Sequence, residues 1–319
     1  MMVPNDNGRD RIKTFDHYDS VLNAFSGGDV YIEDHDIAVA LEDAIDIIQI
    51  AEYLGCVPVV SKPVDVALVK QGQVLFRSIS AHPWSWVSMA HRIQSEMIYK
   101  EAIIHLAGSW NGVPEEHKER LDPWAKDVAL KHHAKLNEKR KMLEFTLASV
   151  YPGNMSAPCS ELPIRREEYA KDILVWMALS FFRHWFAQRI IDKKGALAPD
   201  GGYNLYKTLS KAGEAYMDKA IINQFHVKFP MTKKAMNVLE NHLLEIKECL
   251  KSVVEKSEIL NSKCLLDVGR HEVGYLTCVE VDKSDIPWFN GYFSGGFTAA
   301  DAAKEIYGIM DLPIGQPRP

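Results

Sequence analysis

The residues best suited to chemistry lie in the decapeptide SFFRHWFAQR, residues 180–189, where Arg183 and His184 stand among four aromatic side chains. A guanidinium and an imidazole in aromatic surroundings can bind an anionic or acyl ligand. On a helix, however, Phe181 and Trp185 share one face, and both polar side chains can reach its rim. Structural packing of the rings is therefore the preferred interpretation. The alternative is a small-molecule-binding protein or enzyme with a pocket near Arg183, His184 and Trp185.

The rest of the sequence lacks the spacing of known catalytic and metal-binding motifs. It contains no G-x-G-x-x-G, Walker, G-x-S-x-G or H-E-x-x-H pattern. The pair His271 and Glu272 has no second histidine four residues on, so we predict no metal site, no cofactor and no catalytic residue. The basic run KHHAKLNEKRK, residues 131–141, lacks interleaved aromatic residues for base stacking and is interpreted as the solvated face of a helix. We therefore expect neither an enzyme nor a nucleic-acid-binding protein.

Composition is typical of a globular protein. The chain has 319 residues, 47% hydrophobic and 25% charged, and a formal net charge of −6. This acidic balance argues against nucleic acid or an anionic membrane as the main partner. The most apolar run, residues 173–182, is about half as long as the roughly 20 residues that cross a bilayer. Five widely spaced cysteines without a C-x-x-C pair indicate reduced thiols, and we expect a cytoplasmic or nuclear location without membrane association.

Hydrophobic periodicity predicts a mainly α-helical protein of many helices. The segment AIDIIQIAEYLGC repeats apolar residues at three- and four-residue steps, and Gly55 is expected to end its helix in a left-handed conformation. A second helix follows, so residues 38–70 form a tight hairpin. A long helix is predicted over 115–150. Strand is confined to two short pieces, 29–32 and 275–281, where the residues alternate or are β-branched.

Proline and glycine placement divides the chain into four regions. The segment YPGNMSAPCSELP, with three prolines and no periodicity, is the predicted linker. The predicted regions are 1–72, 73–150, the linker at 151–165, and a C-terminal helical region at 166–319. That last region opens with an aromatic-rich helix over 166–193.

The N-terminal hairpin resembles a known family. The stretch YDSVLNAFSGGDVYIEDHDIAVALEDAIDIIQIAEYLGCVPVVSKPVDVALVKQGQ is similar to the second half of a BTB/POZ domain, in the form found in proteins of filamentous fungi. The residues that match its hairpin motif are Ala44, Ile48, Ala51, Tyr53, Leu54, Gly55 and Cys56. The stretches DILVWMALSFFRHWFAQ and LAPDGG also resemble that family. The resemblance implies an N-terminally truncated, partial BTB/POZ-like region followed by the family's helical C-terminal region.

The resemblance implies a non-enzymatic protein-interaction module or adaptor of the BTB/POZ type. Helices 17–26 and 38–70 would contact a protein partner, with a second copy or a cullin-type scaffold as candidates. The contact residues that we predict are Tyr18, Leu22, Phe25, Ile48 and Tyr53. In a complete BTB domain, upstream strands cover these helices. We therefore expect another chain to cover this face here, and the isolated protein to self-associate.

Overall fold

The computed structural model describes residues 11–33, 35–151 and 166–289. Twelve α-helices and no β-strand occur in these residues, so the protein is mainly α-helical, as the sequence predicts. The chain divides into two compact units, with the boundary between Glu280 and Val281. The domain boundaries predicted after residues 72, 150 and 165 stay predictions. The predicted linker lies outside the described residues apart from Tyr151.

The first unit begins with the predicted helical hairpin and a helix packed against it. These helices are α1 (Arg11–Phe25), α2 (Ile37–Tyr53) and α3 (Val57–Val69). At the start of α2, the Asp36 side chain accepts a hydrogen bond of 2.8 Å from the Ala38 amide. At its end, Gly55 has a φ of +67°, and the Cys56 amide donates to the Ala51 carbonyl over 2.8 Å. The predicted left-handed end at Gly55 is confirmed, and it turns the chain directly into α3.

A buried carboxylate fastens α1 to α2. An oxygen of Asp43 on α2 lies 2.7 Å from Nζ of Lys13 and 3.2 Å from Nε2 of His17, both on α1. Its other oxygen accepts a hydrogen bond of 3.2 Å from the Glu33 amide, which fixes the segment between the helices. Burial by itself raises the pKa of Asp43, but these hydrogen bonds outweigh it and hold the pKa below its usual range.

The middle of the first unit is organised around α6. Its helices are α4 (Gln73–Ala81), α5 (Pro83–Arg92), α6 (Glu96–Ser109), α7 (Glu115–Arg120) and α8 (Pro123–Ser149). Helix α6 packs against α4, α5 and α8, and it buries ten of its residues, from Ile98 to Gly108. The prediction of one helix over 115–150 is wrong. The chain turns at Leu121 and Asp122, and Pro123 starts a new helix at a position where its missing amide N–H is not needed.

The last four helices of the chain form a group in which α12 is the central helix. They are α9 (Arg166–Ile191), α10 (Tyr203–Lys211), α11 (Lys219–Lys228) and α12 (Lys233–Ser257). Helix α12 contacts α9, α10, α11 and α8. Helix α9 confirms the helix predicted over 166–193, and it contributes the buried rings of Phe182 and Phe186.

After α12 the chain passes through several turns and bends and then crosses α6. Leu276 lies so close to Gly108 of α6 that a side chain at position 108 would collide with the Leu276 carbonyl. The strand predicted at 275–281 is wrong, because no second strand pairs with this segment in the described residues. Its link to the preceding chain is a hydrogen bond of 2.9 Å from the Lys263 amide to the Thr277 carbonyl.

The strand predicted at 29–32 is wrong for the same reason. Val30 and Ile32 are buried while Tyr31 is exposed, which is the alternation of a strand. Without a partner strand, that alternation belongs to an extended connection between α1 and α2.

The second unit is described from Val281 to Phe289. It contains two single turns of 3-10 helix, Lys283–Asp285 and Pro287–Phe289. Across the described parts of both units, no helix combines the length and the apolar character that a membrane span requires.

Candidate protein-interaction surfaces

The surface predicted at the N-terminus is formed by α1. Four of its apolar residues follow one another at steps of three and four, share one face and are exposed. We call them the α1 stripe: Phe15, Tyr18, Leu22 and Phe25. Tyr53, at the end of α2, is 83% exposed. It lies with Tyr18 around a cleft of about 210 Å³ between α1 and α2.

The fifth predicted contact residue, Ile48, is placed in the core. It has no exposed surface, and neither has its neighbour Ile47. Adjacent helices of the same chain cover this face of α2. Ile48 therefore cannot contact a partner in the folded protein. The expectation that another chain covers this face is therefore wrong for Ile48.

Acidic side chains flank the α1 stripe. Asp16 and Asp19 are exposed on α1, and Glu42 is exposed on α2. The nearby ammonium group of Lys13 is paired with Asp43, so it offsets little of this charge. The stripe is thus an apolar surface with a negative border.

A larger groove lies between α9, α10 and the start of α11. Its volume is about 640 Å³. Its aromatic floor consists of Trp185 and Tyr216, whose rings stack with centroids 4.9 Å apart. The guanidinium of Arg189 lies 5.2 Å from the centre of the Trp185 ring. Both rings and Arg189 line the groove, so the floor is apolar with a cation at its edge.

A buried lysine holds one wall of the groove. Nζ of Lys247, on α12, donates hydrogen bonds to the carbonyls of Gly213 (2.6 Å) and Met217 (3.1 Å). The same ammonium group lies 5.3 Å from the centre of the Tyr216 ring. Burial lowers the pKa of Lys247, although the negative charge of Glu214 opposes the shift. Lys247 therefore fixes the turn that carries Tyr216, and it does not face a partner.

The charged residues that line the groove differ in what they contact. Arg189, Lys193 and Lys194 are exposed and form no ion pair with any described residue. Among the acidic residues, Asp200 accepts hydrogen bonds of 3.0 Å from backbone amides at the start of α10, and Asp218 caps α11 in the same way. These two carboxylates are engaged within the fold, whereas the three cations and the exposed carboxylate of Glu214 also line the groove. The arrangement is suited to recognition of an anion and offers no paired acid and base for catalysis.

The alternative pocket around Arg183, His184 and Trp185 does not form. The Arg183 guanidinium lies 4.6 Å from the centre of the Tyr151 ring and borders a separate apolar cleft of about 510 Å³. His184 is exposed. Trp185 lies in the groove. Because consecutive helical residues point about 100° apart, the three side chains diverge instead of converging on one ligand.

A buried polar cluster on α6 was missed by sequence reasoning. Glu101 accepts hydrogen bonds from the amides of Leu265 (2.7 Å) and Leu266 (3.0 Å), and it lies 3.2 Å from His105 Nε2. The other ring nitrogen of His105 is 2.9 Å from the Tyr275 hydroxyl. Burial by itself lowers the pKa of His105, but hydrogen bonds with neighbouring side chains outweigh it and raise the pKa. A glutamate and a histidine four residues apart on an otherwise apolar helix were the available signal.

The fold and these surfaces define a helical protein with an exposed apolar stripe on α1 and an aromatic-floored groove beside α9. In a comparison with models of known protein families, residues 152–257 match the sequence model of the fungal FF domain. FF domains are helical domains that mediate protein–protein interactions. The match covers about a third of the chain and includes α9 to α12, of which α9, α10 and α11 border the groove. No curated protein and no solved structure matches the chain significantly.

This finding corrects the assignment to the BTB/POZ family. The matching model is that of the FF domain, and no BTB family is detected. The hairpin motif led to the wrong family because it consists mostly of regularly spaced apolar residues and a glycine turn. Any packed pair of helices can share these features. The matched range also begins at residue 152, within the segment predicted to be a linker.

Proposed function

We propose that the protein is a non-enzymatic interaction adaptor whose FF-like segment binds a partner in the groove between α9, α10 and α11. The observation that carries this proposal is that the groove lies within residues 152–257, the range similar to an interaction domain. A partner of BTB type, such as a cullin scaffold, has no support from the family match.

The groove favours an acidic segment with an aromatic or aliphatic anchor. Trp185 is half-buried, so its exposed part can pack against an apolar side chain of the partner. Arg189, Lys193 and Lys194 can then pair with carboxylates or phosphates beside that anchor. A segment of about five residues is enough to supply both parts, which suits a cavity of about 640 Å³.

We also propose the α1 stripe, together with Tyr53, as a second contact surface. Its spacing matches the apolar face of a partner helix, and the flanking Asp16, Asp19 and Glu42 favour basic residues beside that face. This proposal retains four of the five residues predicted from the sequence. It replaces Ile48 with Phe15, which lies on the exposed side of α1.

Quantitative affinity capture of matched variants tests both surfaces. The double variant Lys193→Glu/Lys194→Glu reverses two groove cations. The control Lys233→Glu/Lys234→Glu makes the same charge change at another exposed pair within the same segment. We expect the groove variant to lose partners that wild type and control retain, and Leu22→Asp/Phe25→Asp to lose a different set. Equal partner sets for the groove variant and its control would refute binding at the groove.

The same experiment also tests the cellular location of the protein. The cysteine pattern supports a cytoplasmic or nuclear protein. Fractionation before the capture step assigns the partners to a compartment, and recovery in the secretory pathway would contradict this location.

A further inference from the structure

The buried cluster on α6 contains the ligand types of a transition-metal site. Glu101 and His105 lie one turn apart on α6, and Cys264 reaches them from a bend in the segment after α12. A carboxylate oxygen, an imidazole nitrogen and the thiol sulfur lie within 4.8 Å of one another. Glu101 and His105 are almost fully buried, and Cys264 is half-buried. We propose that these three residues bind a zinc ion, which clamps the segment after α12 onto α6.

The distances suit a shared tetrahedral ion. Two oxygen or nitrogen ligands at about 2.0–2.1 Å from a tetrahedral zinc ion are about 3.3 Å apart. The oxygen of Glu101 and Nε2 of His105 are 3.2 Å apart. The sulfur needs a longer bond of about 2.3 Å, which places it slightly farther from both. The sulfur lies within 4.8 Å of both other ligand atoms, so a side-chain movement of about 1 Å brings all three into bonding range of one ion.

The hydrogen bonds around the cluster orient His105 as a metal ligand. Nδ1 lies 2.9 Å from the Tyr275 hydroxyl, and that hydroxyl donates to the Ser80 carbonyl over 3.4 Å. In the tautomer that carries the proton on Nδ1, this nitrogen donates to the tyrosine oxygen and the tyrosine proton is directed to Ser80. Nε2 then directs a lone pair towards Glu101 and Cys264 when a metal ion takes the place of a proton there.

The other two ligands are held in a similar way. The amides of Leu265 and Leu266 fix both oxygens of Glu101 and leave a lone pair for an ion. The sulfur of Cys264 lies 2.9 Å from the Ser262 hydroxyl, which can donate to a thiolate. Ligand side chains oriented by second hydrogen bonds are typical of metal sites in proteins.

The ligand set selects the metal. A thiolate and an imidazole favour zinc over magnesium and calcium, which prefer oxygen ligands. The three protein ligands leave a fourth tetrahedral position for water, which can enter beside the half-buried Cys264. Loss of the thiol should therefore weaken binding without removing the whole site.

Titration of the purified, metal-free chain with zinc and with cobalt tests the site. The variant Cys264→Ser removes the sulfur ligand, and Cys249→Ser is the matched control because Cys249 is equally half-buried and lies outside the cluster. We expect one zinc ion per wild-type chain, and a sulfur-to-cobalt charge-transfer absorption in the cobalt form. Cys264→Ser should lose that absorption and bind zinc at least about tenfold more weakly, while Cys249→Ser behaves as wild type.

Two further measurements keep the test decisive if Cys264→Ser folds poorly. Zinc should raise the melting temperature of the wild-type chain, and it should slow alkylation of Cys264 but not of Cys249, as located by mass spectrometry. Failure to bind stoichiometric zinc, or equal zinc affinity of Cys264→Ser and wild type, would overturn the proposal. So would unchanged alkylation of Cys264 in saturating zinc.

Discussion

Two neighbouring aromatic residues of α9 should differ sharply in their importance for stability. Phe182 is 1% exposed, whereas Trp185 is half-buried on the floor of the groove. The sequence alone places both on one aromatic helix and does not separate them. If the groove is a docking surface, Phe182→Ala should destabilise the fold much more than Trp185→Ala.

The expected losses follow from the contacts of each ring. Removing a fully buried phenylalanine side chain costs about 3–5 kcal/mol, because a cavity remains where it packed. Trp185→Ala loses stacking on Tyr216, about 0.5–1.5 kcal/mol, and the cation–π contact with Arg189, about 0.5–1 kcal/mol. We therefore expect a loss of about 1–2.5 kcal/mol for Trp185→Ala. The loss in the Phe182 variant alone is at least about a fifth of a typical stability of about 5–15 kcal/mol.

Urea unfolding followed by far-ultraviolet circular dichroism measures both losses on the same scale. The control Trp185→Phe keeps a ring to stack on Tyr216 and should remain close to wild type. A Trp185→Ala loss as large as that of Phe182→Ala would mean that Trp185 is a core residue. In that case the groove has no apolar floor for a partner, and the proposed binding at this place fails.

Three more substitutions test the internal contacts. Arg140 is fully buried, and its Nη1 donates a hydrogen bond to Asn137, while Nε and Nη2 have no hydrogen-bond partner in the described residues. Arg140→Met should therefore leave the free energy of unfolding in urea unchanged or raise it by up to about 3 kcal/mol. Asp43 has a lowered pKa in the folded state, so its contribution to folding stability is present at neutral pH and is lost as the pH falls below about 4. Asp43→Asn should therefore be less stable than wild type at neutral pH, and its stability should fall less as the pH is lowered. Thermal melts at a series of pH values measure both effects. Ile48→Ala should cost about 2–5 kcal/mol in urea unfolding, because Ile48 is a core residue, whereas a loss below about 1 kcal/mol would restore it as a surface contact.

Periodicity predicts which residues are helical, but it does not predict which side of a helix the rest of the chain covers. Ile48 and Tyr53 lie on the same helix and both entered the predicted contact surface. In the structure, other helices bury Ile48, and Tyr53 projects from the end of α2. The difference depends on packing between separate elements, which the local pattern does not contain. The family assignment failed for a related reason, since the hairpin motif reports packing of helices and not their identity.

Long-range contacts explain why the cluster on α6 was missed. Glu101 bonds to the Leu265 amide across 164 residues of sequence. The spacing of Glu101 and His105 is visible on α6, but Cys264 lies after α12, far from both along the sequence. By contrast, the left-handed end at Gly55 was predictable because its causes, a glycine and a preceding helix, are adjacent in sequence.

The groove and the zinc cluster should respond independently, although α12 connects them. The groove depends on α12 through Lys247, which holds the turn carrying Tyr216. The cluster depends on the chain after Ser257, the last residue of α12, and lies outside the range that matches the FF domain. Along the continuous helix α12, Ser257 lies ten residue steps, about 15 Å, beyond Lys247.

A regular helix of this length transmits little change unless it shifts as a body. Cys264→Ser should therefore retain the groove partners in affinity capture, and Lys193→Glu/Lys194→Glu should retain wild-type zinc affinity. Loss of the groove partners in Cys264→Ser, with its far-ultraviolet spectrum unchanged, would show that the anchored segment positions α12. Partner binding at the groove and zinc binding at the cluster would then be coupled through α12.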